Sequence, residues 1–286
     1  MIRIVTDSAC DIPDELLNSH NIDMVPLTIR FGDQEFKDRT ELPTSKFWDM
    51  LDTKGVMPQT SAPSPGDFQK AFDTAISQGA TGILCLTISS GLSATYQSAL
   101  TASQGFQDSV PVIVIDTQNV SMGEGILVLK AAELLEQNMD IEEIHRQILD
   151  VRSRIHVFAV VDDLEFLRRG GRIGGASAFL GSVLSIKPVV AVKNGRIEPE
   201  SKQRTRSRAV DYLAGKAGVC KPVKIYVANG KSEDADILLK KLNALDLPMK
   251  PVVVDLSAVV GSHVGPGSLG LCMEERGGNG EENHAI

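Results

Sequence analysis

Apolar positions in the first half of the chain fall in short runs that alternate with longer segments of helical period. "IRIVTDS" (2–8) reads as a strand that ends in a polar turn, and "TGILCLTI" (81–88) as a buried strand. "IDMVPLTIRF" (22–31) reads as one further strand. "VPVIVIDT" (110–117) shows no alternation, the pattern expected of a central parallel strand covered on both faces. Between these runs lie helical patterns. "DIPDELLNSH" (11–20) has Asp11 at the N-cap position and Pro13 early in the helix. "PSPGDFQKAFDTAISQGA" (63–80) spaces Phe68, Phe72 and Ile76 on one face and closes at Gly79. "SATYQSALTASQGF" (93–106), "SMGEGILVLKAAELLEQN" (121–138) and "DIEEIHRQILDVRSRI" (140–155) are also helical. Alternating strands and helices predict a three-layer α/β/α domain with a parallel sheet.

The second half has a different rhythm. "HVFAVVDDLEFLRRGGRIG" (156–174) holds a strand, a short helix and a glycine stop. "KPVVAVKNGRIEPESK" (187–202) places Asn194-Gly195 between two extended runs, a hairpin signal. Two helices ("RSRAVDYLAGKAG", "SEDADILLKKLNAL") and two strands ("VKIYVANG", "KPVVVDLS") follow. This mixture predicts an α+β domain with a mixed sheet. The expected organisation is 1–160, 161–276 and a disordered tail over 277–286.

The formal net charge of −8 argues against general nucleic-acid binding. The cysteines (Cys10, Cys85, Cys220, Cys272) are scattered, with no C-x-x-C pair to support a zinc knuckle or a redox motif. Cys10 and Cys85 lie in or beside apolar segments and are expected to be buried thiols, as in a reducing cytosol. "MIRIVTDSAC" turns polar too soon for a signal peptide, and no apolar run reaches the ~20 residues of a membrane span. A cytoplasmic protein without stable membrane insertion is expected.

Three polar turns follow strands of the first domain: "TDS" (6–8), "TISSGLS" (87–93) and "DT" (116–117). Open parallel sheets bind ligands beyond the carboxyl ends of their strands, so these turns should share one rim. "QTSAPSPG" (59–66) could face the same crevice, and Ser93 begins a predicted helix whose free N–H groups favour an anion. Taken singly, Thr60, Ser64 and Ser93 are better explained as helix caps; taken together with the strand ends, they point to a ligand site. "GPGSLG" formally contains G-x-G-x-x-G, but no strand and acidic residue follow at dinucleotide spacing, so the glycines are read as a tight turn beside His263. His263 is either a surface residue of that glycine-rich loop or part of the site. The basic runs "RRGGR" (168–172) and "KQRTRSR" (202–208) stand out on an acidic chain. They are solvated charge and helix-end cations, or they meet a phosphate-bearing or acidic partner. A Ser93 nucleophile lacks the G-x-S-x-G elbow that would announce it.

Five ordered motifs together carry a resemblance. "VTDSACDIP", "TSAPSPGDF", "LTISSGLSATYQSA", "LEFLRRGGRIG" followed by "SIKPVV", and "GSHVGPGSLG" resemble the motif blocks of the DegV family over nearly the whole chain. Ala94 stands where the family usually has glycine. The resemblance implies two α/β domains with a long-chain fatty acid, such as hexadecanoate, held between them. It implies the acyl-binding, non-catalytic component of a bacterial fatty acid kinase, with no metal or other cofactor. A separate ATP-binding kinase subunit would phosphorylate the carboxylate, and an acyltransferase would pass the acyl phosphate into phospholipid synthesis. By motif, Thr60 and Ser93 are the carboxylate contacts and His263 the third. Ser61, Ser89, Ser90 and Gly91 are expected at the pocket rim. Arg204, Arg206 and Arg172 are expected to dock the partner or contact the phosphoryl group. The competing readings are a serine-type lipid hydrolase or acyltransferase using Ser93, and a fatty-acid sensor.

Overall fold

The computed structural model describes residues 1–106, 109–180 and 186–277. The expected disordered tail lies outside the described residues from 278 onward. In the first half the chain runs β1 (Ile2–Asp7), α1 (Asp14–Ser19), β2 (Ile22–Val25), β3 (Thr28–Phe31) and β4 (Gln34–Lys37). It continues through α2 (Thr44–Lys54), β5 (Gln59–Ser61), α3 (Pro65–Ser77), β6 (Gly82–Thr87) and α4 (Thr95–Ser103). Then come β7 (Val112–Asp116), α5 (Met122–Glu136) and α6 (Ile141–Arg152).

Strands β2-β1-β6-β7 form a parallel sheet in that order. Successive side chains of a strand point to opposite faces. Ile4, Leu84 and Leu86 therefore pack towards α5 and α6, while Val5, Ile83 and Cys85 pack under Phe68 and Phe72 of α3 and Ala99 of α4. Both faces are covered, which is why these strands read as unbroken apolar runs.

Several local expectations change. β7 is an edge strand, paired to β6 alone. It looks central because helices cover both its faces, with Val112 and Val114 on one side and Ile113 and Ile115 on the other. The run 22–31 breaks at Pro26 into β2 and β3, which belong to different sheets. β3 pairs antiparallel with β4 and β5 in a small sheet absent from the sequence reading. Asp11 does not cap α1, whose N-cap is Pro13. Asp11 is instead buried in a left-handed turn at φ 53°, where Oδ1 accepts the Ser257 N–H at 2.9 Å. Helix α4 begins at Thr95, two residues later than expected, with Ala94 as an N-cap that makes no side-chain bond.

The second half contains β8 (Ile155–Val160), α7 (Glu165–Arg169), β9 (Lys187–Lys193), β10 (Arg196–Gln203) and α8 (Arg206–Cys220). It closes with β11 (Lys224–Gly230), α9 (Ala235–Asn243), β12 (Val252–Asp255), α10 (Ala258–Val264) and β13 (Ser268–Glu274). The order β10-β9-β8-β13-β11-β12 makes a mixed sheet, with only the β11–β12 pair parallel. The predicted hairpin joins β9 to β10, with Asn194 and Gly195 at φ 49° and 74°, the two positive values a type I′ turn requires. β8 is hydrogen-bonded on both sides within this sheet, so the passage between sheets follows Arg152, a few residues ahead of the boundary expected at 160/161.

Helices α8 and α9 cover one face of the six-stranded sheet through Leu213 and Leu238. The other face meets α5, which is sandwiched between the sheets, with Val157, Ala228 and Cys272 in the same core as Ile126 and Leu127. Close contact is possible because α5 carries glycine at 123, where a Cβ would run into Val157. Among the described residues no helix is long and apolar enough to cross a membrane.

Candidate functional site

Between the two sheets lie two abutting chambers with overlapping walls. They share Val120, Leu167, Ile197, Val260 and Val264 as common walls. The inner chamber runs along the six-stranded sheet over Val157, Ala159, Val190 and Val192. Its floor is shallow for a reason of register. Ala159, Gly270 and Ala228 stand opposite one another across β8, β13 and β11, so three small side chains leave a groove. The outer chamber is also apolar, through Leu27, Ile88, Leu92 and Val259, except at one end, where Thr60, Ser93, Arg172 and His263 come together.

The unexpected small sheet positions Thr60. Its pairing with Ile29 fixes β5, so Thr60 is a strand residue and not a helix cap. His263 lies in the last turn of α10, not in a loop. Its Nε2 is 2.7 Å from Thr60 Oγ1, a contact that joins the two halves of the chain. Nδ1 is buried and has no partner. It faces Gly170, where any Cβ would collide with the ring. Desolvation, reinforced by the Arg172 guanidinium, pushes the imidazole down to about 4, so the ring is neutral at neutral pH. A proton on Nδ1 would be a buried donor with nothing to receive it, at a cost of ~1–3 kcal/mol. With the proton on Nε2, the imidazole donates to Thr60 Oγ1. The hydroxyl hydrogen of Thr60 is then free to meet an anionic oxygen.

Ser93 Oγ contacts Thr95 Oγ1 at 2.8 Å and accepts the Thr95 N–H at 3.3 Å. Thr95 is buried and orients Ser93 towards the chamber. Arg172 lines the chamber instead of an outer surface. Its Nε donates to Leu92 O at 2.9 Å and its Nη1 to Gly170 O at 2.6 Å. Two of its donor groups thus hold main chain on either side of the site, one beside Ser93 and one beneath His263. The remaining charge favours an anion without the two-pronged clamp that a free guanidinium would offer.

The other expected rim residues serve the scaffold. Ser61 is exposed, and Ser61, Ser89, Ser90 and Gly91 are not among the residues lining the chambers. Buried Ser89 donates to Gly195 O at 2.7 Å, and Gly91 lies so close to that carbonyl that a Cβ could not fit. These two residues dock the β9–β10 hairpin onto the parallel sheet. Ser90 Oγ bonds Asp116 at 2.5 Å and ties two strand ends together. Asp7 completes this rim by accepting the Ile88 and Ala9 N–H groups at 2.8 and 2.9 Å.

The basic run 202–208 divides by function. Arg206 bonds Asp234 at 2.6 Å, Ser232 at 2.7 Å, Gly267 O at 2.5 Å and Asp162 at 3.2 Å. It braces the turn that follows His263, and its donors are committed within the fold. Arg204 is exposed just before α8, and among the described residues it has no side-chain partner.

Comparison with known proteins agrees with this architecture. The model of the family described as "Uncharacterised protein, DegV family" matches residues 1–276. A DegV domain-containing protein of Staphylococcus aureus is 34% identical over 278 residues, covering 94% of this chain and 96% of that one. A structure described as fatty acid binding of a DegV family protein from Thermus thermophilus is 36% identical, with TM-score 0.89 over 96% of this chain and 99% of that one. A stearic acid-binding protein from Eubacterium ventriosum is 26% identical, with TM-score 0.85 over 96% of this chain and 98% of that one. With residues 1–276 matched by one family model and the fold shared over 96% of the chain, the chain belongs to the DegV family.

Proposed function

We propose that the protein binds a long-chain fatty acid and presents its carboxylate to a separate ATP-dependent kinase. The observation that carries this reading is the cavity itself: two adjacent apolar chambers that share their walls, with a polar end at Thr60, Ser93, Arg172 and His263. The acyl chain lies over the Ala159–Gly270–Ala228 groove, and the carboxylate meets Thr60 and Ser93 beside Arg172 and His263. At ~0.8 kcal/mol per buried methylene, a long chain supplies a gross ~10 kcal/mol before ordering costs, so affinity does not depend on a strong head-group clamp. The fatty-acid-binding descriptions of the Thermus and Eubacterium proteins support the same ligand class.

In the kinase step a carboxylate oxygen attacks the γ-phosphorus of partner-bound ATP. The bond to ADP breaks, and acyl phosphate remains on this protein for an acyltransferase in phospholipid synthesis. Hydroxyls and one half-spent guanidinium suit such a hand-over, because they accommodate carboxylate and acyl phosphate alike. Arg204, free at the surface, is the docking cation in this reading. A Ser93 hydrolase is not favoured by the geometry: the Ser93 hydroxyl pairs with Thr95, and His263 pairs with Thr60.

The test is reconstitution. Delipidated protein, labelled fatty acid, ATP and the kinase subunit are combined, and acyl phosphate is trapped with hydroxylamine. Hydroxamate that requires both proteins is expected. Lipid uptake without hydroxamate would remove the kinase role and leave the binding role standing.

A further inference from the structure

The cysteines gave no metal motif in sequence, yet the fold gathers one beside a histidine and a glutamate. His156 is on β8, Cys220 is the last residue of α8, and Glu275 immediately follows β13. The antiparallel pairing of β8 and β13 sets His156 opposite Met273 and brings the end of β13 back beside the start of β8. The Glu275 N–H then donates to Arg154 O at 2.9 Å, which fixes its main chain at that corner. His156 Nε2 lies 2.9 Å from Glu275 Oε2, and one ligand atom from each of the three residues falls within 4.8 Å of the others.

We propose that His156, Cys220 and Glu275 form a binding site for a zinc-class divalent transition metal. Imidazole, thiolate and carboxylate are a recurrent donor set for such ions, while the thiol disfavours calcium and magnesium. Around a tetrahedral ion at ~2.0–2.3 Å, ligand atoms stand roughly 3.3–3.7 Å apart. The present spacings bracket that range, and Cys220 and Glu275 retain enough exposure to adjust by side-chain rotation. Water completes the coordination sphere. Bound metal would clip the end of α8 and the exit of β13 to the first residues of β8.

The site is separate from the lipid cavity. Along β8, Val157, Phe158 and Ala159 are among the residues lining the cavity, and His156 is not. The His156 ring stacks beside that of Phe158 at 6.4 Å, and Phe158 packs in the core under α8. Loss of the metal should therefore leave lipid content unchanged.

Titration of the full-length, metal-stripped protein with Co²⁺ provides the test, since a cobalt–thiolate bond gives a near-ultraviolet charge-transfer band. The expected result is a saturable band, displaced by Zn²⁺, accompanied by a higher melting temperature. Cys220→Ser should abolish the band, and His156→Gln and Glu275→Gln should each weaken Zn²⁺ binding at least about tenfold. Should Cys220→Ser fail to fold, the latter two variants decide the matter through Zn²⁺ affinity. No band in the wild type, a band undiminished in Cys220→Ser, or unchanged Zn²⁺ affinity in both other variants would overturn the proposal.

Discussion

Nε2 of His263 and Oγ1 of Thr60 are 2.7 Å apart although 203 positions separate them in the chain. The contact ties the small antiparallel sheet to α10 at the polar end of the cavity. If the imidazole N–H faces Thr60, a side chain that places an N–H there should preserve the site. His263→Gln is expected to keep most fatty acid affinity, whereas His263→Phe should lose about 1–3 kcal/mol. Equal losses in both variants, by titration calorimetry on delipidated protein, would show that this donor does not matter.

Thr60 and Ser93 line the same end of the cavity, so if both hold the carboxylate their energies should not add. Thr60→Val and Ser93→Ala are each expected to weaken binding by about 1–3 kcal/mol, and the double variant by less than the sum. Full additivity in the double-mutant cycle would place the two hydroxyls on different parts of the ligand.

Two arginines that are neighbours in sequence should behave oppositely. Arg204→Ala should leave melting temperature and lipid content unchanged while slowing acyl phosphate formation with the kinase subunit. The wild-type rate should fall as salt rises. Arg206→Ala should lower the melting temperature, because Asp234, Ser232 and Gly267 O lose their shared donor. A lost hydrogen-bonding charge of about 1–2 kcal/mol corresponds to a shift of roughly 2–4 °C in a chain of this size. Lipid loss in Arg204→Ala would return that residue to the pocket.

Burial raises three aspartates beneath the parallel-sheet rim: Asp7 and Asp38 to about 7 and Asp11 to about 6. The same burial carries Glu124 well above the usual carboxylate range. In the unfolded chain these groups titrate near ~4, so the folded state binds more protons between about pH 4 and 7. Their contribution is complete below the unfolded values and is lost as pH rises through the folded ones. His263, lowered to about 4, opposes this between about pH 4 and 6.5, as one group against four. Glu165 and Glu200, held at about 2 by Arg168 and Arg169 and by Lys193 and Lys216, act only below that window. Calorimetry should therefore find a higher melting temperature at pH 5.5 than at pH 8. The reverse order would mean that the buried carboxylates are ionised in the folded state.

Local motifs made much of this legible. Strands with both faces covered announce themselves as apolar runs, and Asn194-Gly195 announced its hairpin. The polar pieces Gln34–Lys37 and Gln59–Ser61 lack any period, so the sheet that holds Thr60 went unseen, although Gly32-Asp33 is a two-residue hairpin loop. The short apolar segment before His263 was masked by the glycines after it, which hid a helix capped by Ser257. An apolar run cannot tell an edge strand from a central one when helices cover both faces, hence the misplacement of β7. Arg206 read as a free cation because its partners Asp162 and Asp234 are distant in sequence, and Arg172 read as surface because its carbonyl partners are invisible in a linear chain. The hydroxyls of 87–95 looked alike in sequence. Only the fold separates Ser93, which faces the cavity, from Ser89 and Ser90, which hold the scaffold.

The cavity is the centre of the account, and its contents can be weighed. Protein purified without delipidation, denatured and extracted, should release close to one long-chain fatty acid per chain by mass spectrometry. Ala228→Leu, which fills the groove between the sheets, should shift the recovered lipid to shorter chains. Extracts that contain no fatty acid, together with failure of the purified protein to take up added fatty acid, would contradict the account.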